Sequence, residues 1–435
     1  MSRRSPLIRL RDSLQRESPL PTRTRIIWII LGVLLLAGPF ASHLHKSHNP
    51  DRPHGDWYSI YSIGRYSIET GDLEADEAEP IVRTQRYPPI TRPLLMLMAL
   101  LPKTPAAVLS FVLFAGLYAG CARHVSRIFL NPSAQARWPA AAISLVLVAP
   151  YLWSDLTAGN LTSVLLASVT GAFVLEKRGR PWLAGMALSI GILLKIIPVL
   201  CLLYFLVRRR WRVAWGVAAG ILLIGVLPSL AIFGPRKLCD YHGYWYRTQF
   251  SEFTPLNTID RPIECTYQNQ AVVRTMVRLF THTNAGSSSR PFYITIAQPP
   301  RIVLKLGYGI IMAASGLALL IRLWRTRKEH ESSIARADYA LCVGSMLWFS
   351  PWIGSYYYTL ALWPAAALLG NILTHVDDPV PRHPARRTLL LWLIAMPAIA
   401  SRFLRACGIH TLAAALLLLV LTRVYQSKTR THHPA

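Results

Sequence analysis

The chain has 435 residues, 52% of them hydrophobic and only 16% charged, against about 25% charged in ordinary soluble domains. Its 47 Lys+Arg outnumber 21 Asp+Glu for a formal charge of +26, yet the basic residues sit in short clusters between apolar runs rather than on one face suited to nucleic acid. A water-soluble enzyme, a disordered chain, a coiled coil and a cytosolic nucleotide-binding fold are excluded together, and the composition predicts an all-α, polytopic integral membrane protein.

Residues 1–25 carry Arg3, Arg4, Arg9, Arg11, Arg16, Arg23 and Arg25 against Asp12 and Glu17, so this basic tail is expected in the cytoplasm. The apolar run Ile26–Ser42 is longer than a usual signal-peptide core and no clear cleavage site follows it, so it reads as an uncleaved signal anchor. Thr104–Ala122, Trp138–Ser154 and Leu156–Leu175 hold no charged residue, the last two being separated by Asp155. Each is long enough to cross a hydrocarbon core of about 30 Å as a helix. Pro181–Val207 is broken only by Lys195 and has basic clusters at both ends. Both ends therefore belong on one side, and the stretch reads as two short helices turning near Lys195 and Pro198. That turn must be sheltered by other helices, because its backbone cannot face lipid. Val213–Phe233, Ile302–Ile321, two spans within Tyr339–Thr374, and a last hairpin near 388–401 and 406–422 complete about twelve transmembrane helices. With both termini cytoplasmic, the basic clusters after each inward helix satisfy the positive-inside rule. The membrane domain is then 26–424, with external loops at 43–103 and 234–301 and a cytoplasmic tail at 425–435.

Cys121, Cys201, Cys342 and Cys407 fall in or beside helices, as small buried apolar residues. Cys239 and Cys265 both fall in the second external loop and are expected to form a disulfide. No CxxC or His/Cys spacing suggests zinc, and no GxGxxG or P-loop is present. No metal and no cofactor are expected, and no nucleic-acid partner.

Long loops on a rigid scaffold are where sites tend to be built. The first loop carries His54-Gly55-Asp56-Trp57-Tyr58, an acidic run from Glu69 to Glu79, and Gln85-Arg86-Tyr87-Pro88-Pro89. The second carries Asp240-Tyr241-His242-Gly243-Tyr244-Trp245-Tyr246 and Tyr267-Gln268-Asn269-Gln270. Aromatic faces interleaved with amides and carboxylates suit sugar rings, whose C–H faces stack and whose hydroxyls hydrogen-bond; interfacial anchoring of Tyr and Trp is the plainer explanation of the aromatics alone. Asp56 stands isolated among Gly55, Trp57 and Tyr58, a setting that orients a single carboxylate. Its rivals are Asp51, the Glu74-Ala75-Asp76 element and Asp240, of which the acidic run is of the kind usually found as solvated loop. Lys195, alone among apolar residues, needs an anionic partner or access to water.

The chain resembles glycosyltransferases of the GT-C type, specifically family 87, which use polyprenyl-phosphate sugars. The matching features are Gly55-Asp56 with Tyr58 and Tyr61, Tyr87-Pro88-Pro89, and Ala184-Gly185 leading to Lys195-Ile196-Ile197-Pro198 and Arg208-Arg209-Arg210-Trp211. Asn269-Gln270 with Arg274 and Arg278, and Ser350-Pro351-Trp352, complete the set. It runs from about residue 26 to about 424. Two positions depart from the family pattern: Gly159-Asn160-Leu161-Thr162 stands where Gly-Gln-x-Asn is common, and Ser355-Tyr356-Tyr357-Tyr358 stands where a His often follows Ser-Pro.

The resemblance implies inverting transfer of a sugar, with mannose the first expectation, from a polyprenyl-phosphate donor to a glycan or glycolipid acceptor on the external face of the cell membrane. It implies Asp56 as general base, Lys195, Arg86 and Tyr87 at the donor phosphate, and Asn160, Asn269, Gln270 and Tyr356 at the sugar or acceptor. The competing class is a transporter or lipid flippase with Lys195 on the translocation path.

Overall fold

The computed structural model describes residues 6–15, 32, 36–47, 56–73, 87–134, 136–251, 254–262, 265–329, 332–374 and 379–431. Much of the first apolar run, together with Asp51, His54, Gly55, Glu74, Asp76, Gln85 and Arg86, lies outside the described residues.

The described chain is helical, with no strand beyond isolated bridges such as Asn269 to Gly354. In order come α1 (Pro6–Gln15), α2 (36–47), α3 (Asp56–Thr70), α4 (Arg92–Met98), α5 (Lys103–Phe129), α6 (Arg137–Val146), α7 (Ala149–Ala158) and α8 (Thr162–Lys177). Next are α9 (Pro181–Leu194), α10 (Val199–Val207), α11 (Trp211–Phe233, including a π turn at Ile221–Val226), α12 (Pro235–Trp245), α13 (Pro255–Asp260) and α14 (Val272–Phe280). Then follow α15 (Arg301–Arg325), α16 (Ser333–Phe349), the 3₁₀ turn Ser355–Ala361, α17 (Leu362–Thr374), α18 (Pro379–Ala395), α19 (Arg402–Ala406) and α20 (Ile409–Thr431).

Among the described residues, α5, α11 and α15 are long and apolar enough to cross a membrane, and α6 with α7 makes a fourth candidate if the pair is one span. These helices carry the apolar outer surface: Leu109, Val112, Trp215, Leu223, Leu306 and Ile310 are all exposed, which in water would be a large liability and in lipid is the expected face. α16 and α17 are instead buried along most of their length.

Three expectations are corrected here. Trp138–Ser154 is not one straight span but two helices bent by 83° at residues 147–148. Asp155, whose charge suggested a boundary between spans, lies inside α7 and is fully buried. The two segments expected as external loops are in large part helical, the first containing α3 and α4 and the second α12, α13 and α14.

The reversal at Lys195 follows from packing. Gly185 faces Val213 and Val217, Gly216 faces Trp182, Gly220 faces Ser189 and Gly225 faces Leu193. Partner numbers rise together, so α9 and α11 run the same way along a seam of small residues that lets backbones approach closely. Successive parallel helices require the chain between them to return, and α10 makes that return. The helix breaks where Lys195 turns extended (φ −151, ψ 129), three residues before Pro198, which lacks an N–H to continue it.

A buried charge cluster ties the opposite end. Arg208 Nη2 donates to Asp338 Oδ2 at 2.8 Å, and Arg322 Nε donates to Asp338 Oδ1 at 2.7 Å. Arg322 also donates to the Thr422 carbonyl. Arg208 and Arg322 thus serve packing.

Candidate functional site

Asp56 opens α3, the helix end where a carboxylate is favoured by unpaired N–H groups and the helix dipole. α3 is held in place by Arg92, whose guanidinium donates to the Ile63 and Leu73 carbonyls and to Ser67 Oγ at 2.9, 3.0 and 2.9 Å. Gly64 lets α4 pack close, since a Cβ there would come within 2.4 Å of the Leu95 carbonyl oxygen. Beside Asp56, Trp57 is buried and stacked on Tyr61 one turn further along.

Asn160 Nδ2 donates to Asp56 Oδ2, and the Tyr356 hydroxyl hydrogen-bonds to the same carboxyl group. Asn160 reaches it because α7 ends at Gly159 in the left-handed region (φ 66), where a Cβ would lie 2.5 Å from Trp57 Cβ and 2.6 Å from His43 Cε1. Only glycine allows that approach without displacing α2 or α3.

Asp56 and Tyr356 line a cavity of about 820 Å³ together with Lys46, Trp153, Ser154, Thr157, Thr266, Gln268, Asn269, Trp352, Ser355 and Arg405. The wall combines indole faces, amides and hydroxyls around one carboxylate and two cations. Burial draws the Lys46 ammonium below its usual range, with the Asp56 charge raising it back. Burial likewise lowers Arg405, whose guanidinium stands 4.5 Å over the Tyr267 ring.

Asn269 and Gln270 divide. Asn269 lines the cavity, and its Oδ1 accepts from the Ala271 and Ile353 amides, both at 3.1 Å. Gln270 turns away, its Nε2 donating to the Tyr267 and Arg405 carbonyls at 2.6 and 2.9 Å. It therefore braces the wall from behind. Arg278 does the same work, donating to the Thr266 and Asn269 carbonyls at 2.9 and 2.6 Å, while Arg274 lies over Trp352 at 4.6 Å.

Lys195 is not on this cavity wall. Its Nζ lies 4.1 Å over the Tyr357 ring, and Tyr357 packs on Tyr356 with ring centroids 4.8 Å apart. Tyr87 is close enough to Tyr356 to act on it electrostatically. Lys195 and Tyr87 thus approach Asp56 by way of Tyr356 and Tyr357, and Arg86 lies outside the described residues.

The disulfide expected between Cys239 and Cys265 is absent. Both are free thiols, Cys239 exposed on α12 and Cys265 buried; the latter sits 4.0 Å from Arg274 Nη1. Asp240, on α12, is exposed. Among the described residues no three His, Cys, Asp or Glu side chains come together to hold a metal ion.

Lys46, Trp153 and Arg405 were not singled out from the sequence. Trp153 stands at the end of an apolar run and Arg405 between two late ones, and neither carries a local signal.

Residues 86–351 match glycosyltransferase family 87. A stretch of 225 residues is 26% identical to the polyprenol-phosphate-mannose-dependent α-(1-2)-phosphatidylinositol mannoside mannosyltransferase of Mycobacterium tuberculosis (strain ATCC 25618 / H37Rv). That similarity spans 51% of this chain and 46% of the relative, about half of each. No solved structure matches. The family match includes Lys195, Asn160 and Asn269, while Asp56 precedes it and Tyr356 and Arg405 follow it. Covering well over half of the sequence, it shows that the chain belongs to glycosyltransferase family 87.

Proposed function

We propose that the protein transfers a sugar, mannose first among candidates, from a polyprenyl-phosphate donor to a hydroxyl of a glycan or glycolipid acceptor, with inversion at the anomeric carbon. The observation that carries this reading is the Asp56 carboxylate, gripped by Asn160 and Tyr356 on the wall of a cavity of about 820 Å³ lined with Trp153, Trp352 and Asn269. The mannosyltransferase relative, whose printed name specifies a polyprenol-phosphate-mannose donor, supports the donor class.

In the reaction, the acceptor oxygen attacks the anomeric carbon as its proton passes to Asp56. The bond from that carbon to the phosphate oxygen breaks, and its electron pair stays on the phosphate. The donor's phosphodiester monoanion leaves as a monoester dianion, so cations stabilise a charge that grows along the path. Lys195 supplies one from the break between α9 and α10, with Tyr87 nearby and Arg86 next to it in sequence. On the other side of Asp56, the cavity takes the acceptor: Trp153, 44% exposed, offers a stacking face, and Asn269 offers hydrogen bonds.

The chain forms about twelve membrane helices with both termini cytoplasmic and this cavity on the external face of the cell membrane. Basic clusters such as Arg208-Arg209-Arg210 and Arg325-Thr326-Arg327-Lys328 support that orientation. The lipid tail of the donor lies along the apolar helices. Incubation of the purified protein with radiolabelled polyprenyl-phosphate sugars and a membrane lipid extract tests the assignment: label moved to an acceptor supports it. Absence of transfer from every donor, with movement of an intact lipid across vesicles instead, favours the flippase class.

A further inference from the structure

The last helical hairpin turns between α18 and α20 through Met396–Ala400 and α19, and this turn brings Ile399 and Arg405 onto the cavity wall that holds Asp56. The transfer step leaves Arg405 without a role. Its guanidinium stands 4.5 Å over the Tyr267 ring, and that of Arg402 lies 5.7 Å over the same ring. The groups that act on Arg405 electrostatically are Tyr267 and Arg402, and no carboxylate of the described residues is among them. Its Nε is buried with no hydrogen-bond partner among those residues. Two guanidinium groups held around one ring repel each other and favour an anion.

The backbone fixes this arrangement. Gln270 Nε2 donates to both the Tyr267 and the Arg405 carbonyls, at 2.6 and 2.9 Å. Arg278 joins the same two segments, donating to the Thr266 and Ala406 carbonyls, both at 2.9 Å. Both of these bracing side chains are fully buried, so ring and guanidinium are set relative to each other before any ligand arrives. Standing over the ring engages the flat face of the guanidinium; the edge N–H groups are the ones that fork onto a phosphate.

The neighbours of Arg405 point to the kind of molecule that carries the anion. Phe403 and Leu404, on the same short helix, are exposed, as are Ile394 on α18 and Leu412 on α20, an apolar surface suited to lipid. Asp56, Trp153 and Trp352 line the cavity that Arg405 also lines. Arg405 thus joins an apolar surface to an aromatic wall with a carboxylate. A phosphoglycolipid presents its groups in that order: tail, phosphodiester, sugar.

We propose that Arg405, with Arg402 beside it, is a specificity-determining residue that holds the phosphodiester of a lipid-linked acceptor while the acceptor's sugar reaches Asp56. This rests on the reading of the cavity as the acceptor side, and it narrows the acceptor from any glycan to an anionic glycolipid. Arg405 and Asp56 share a cavity of about 820 Å³, on the scale of small-ligand sites. The phosphate therefore lies beside the reacting sugar rather than at the far end of a long glycan.

The test uses the full-length protein in detergent, with Arg405→Gln and Arg405→Lys. Binding is measured by calorimetry for dioctanoyl phosphatidylglycerol, which has a phosphodiester, and for uncharged dioctanoylglycerol. Wild type is expected to bind the anionic lipid about tenfold or more tightly than the uncharged one, the worth of a charge-assisted hydrogen bond. Arg405→Gln should lose that preference with uncharged-lipid binding and melting temperature unchanged, and Arg405→Lys, which keeps a charge but no fork, should retain part of it. In transfer to a membrane lipid extract, radiolabelled product is expected to be retained on an anion exchanger. Arg405→Gln should raise the apparent KM of that acceptor about tenfold with donor KM unchanged. The proposal is overturned if labelled product passes the exchanger uncharged, if Arg405→Gln keeps the wild-type preference, or if donor KM moves in place of acceptor KM. Equal weakening of both lipids with a lowered melting temperature overturns it too. Should Arg405→Gln fail to fold, Arg405→Lys decides by the same comparison, and equal loss of both lipids again counts against the proposal. If no sugar moves from any donor, the transferase reading fails and the binding arm still decides the anion subsite. Normal transfer beside an unchanged lipid preference in Arg405→Gln sinks the subsite alone.

Discussion

Replacing Asp56 by Asn removes the carboxylate proposed as the base while changing little else. The amide keeps the size of the carboxyl and one acceptor oxygen, so Asn160 Nδ2 still has a partner. Asp56 opens α3, and losing a negative charge at a helix N-terminus costs about 0.3–1 kcal/mol. That is small beside the anchoring of α3 by the three Arg92 hydrogen bonds and by buried Trp57 and Ile60. The melting temperature in detergent should therefore stay within a few degrees of wild type. Turnover should not: a positioned general base contributes about 10² to 10⁴ in rate, or roughly 3–5 kcal/mol of barrier at about 1.4 kcal/mol per decade. The assay is transfer of radiolabelled sugar from polyprenyl phosphate to lipid acceptor, with donor binding measured separately. Turnover by Asp56→Asn within about tenfold of wild type, with expression and donor binding intact, would refute the reasoning. It would return the role to Asp240 or the acidic run.

Lys195→Met should raise the apparent donor KM and lower turnover while leaving acceptor KM in place, as a donor titration would show; unchanged donor kinetics would remove Lys195 from the phosphate. Gly159→Ala places a Cβ 2.5 Å from Trp57 Cβ at a backbone φ of 66, so it should destabilise by about 1–3 kcal/mol and lower both melting temperature and activity. Asp338→Asn leaves Arg208 and Arg322 buried without a carboxylate and should cost about 3–5 kcal/mol, read by thermal unfolding in detergent. Cys239 should react with a maleimide in the folded protein and Cys265 only after denaturation, followed by peptide mass spectrometry. Recovery of a linked Cys239–Cys265 peptide under non-reducing conditions would restore the disulfide.

Composition and hydropathy alone determined that the chain is helical and built for a membrane, because block hydrophobicity with few charges has no other stable solution. Local chemistry likewise exposed the break at Lys195-Ile196-Ile197-Pro198, where a charge and a proline interrupt 27 residues, and marked Asp56 as a carboxylate set apart from the solvated acidic run. Tertiary structure decided the rest. Hydropathy registers that a residue avoids water without telling whether it meets lipid or protein, so buried α16 and α17 resemble the lipid-facing helices in sequence. The same blindness makes Asp155 look like a span boundary, when a protein interior can hydrogen-bond a buried acid, as Tyr118 does here, and lipid cannot. The site joins Lys46, Asp56, Trp153, Asn160, Asn269, Tyr356 and Arg405, separated by up to 359 residues, and no local pattern encodes such convergence. It also placed Gln270 behind the wall that Asn269 lines, since neighbouring residues in a turn face opposite ways and only the packed loop fixes which one meets the cavity.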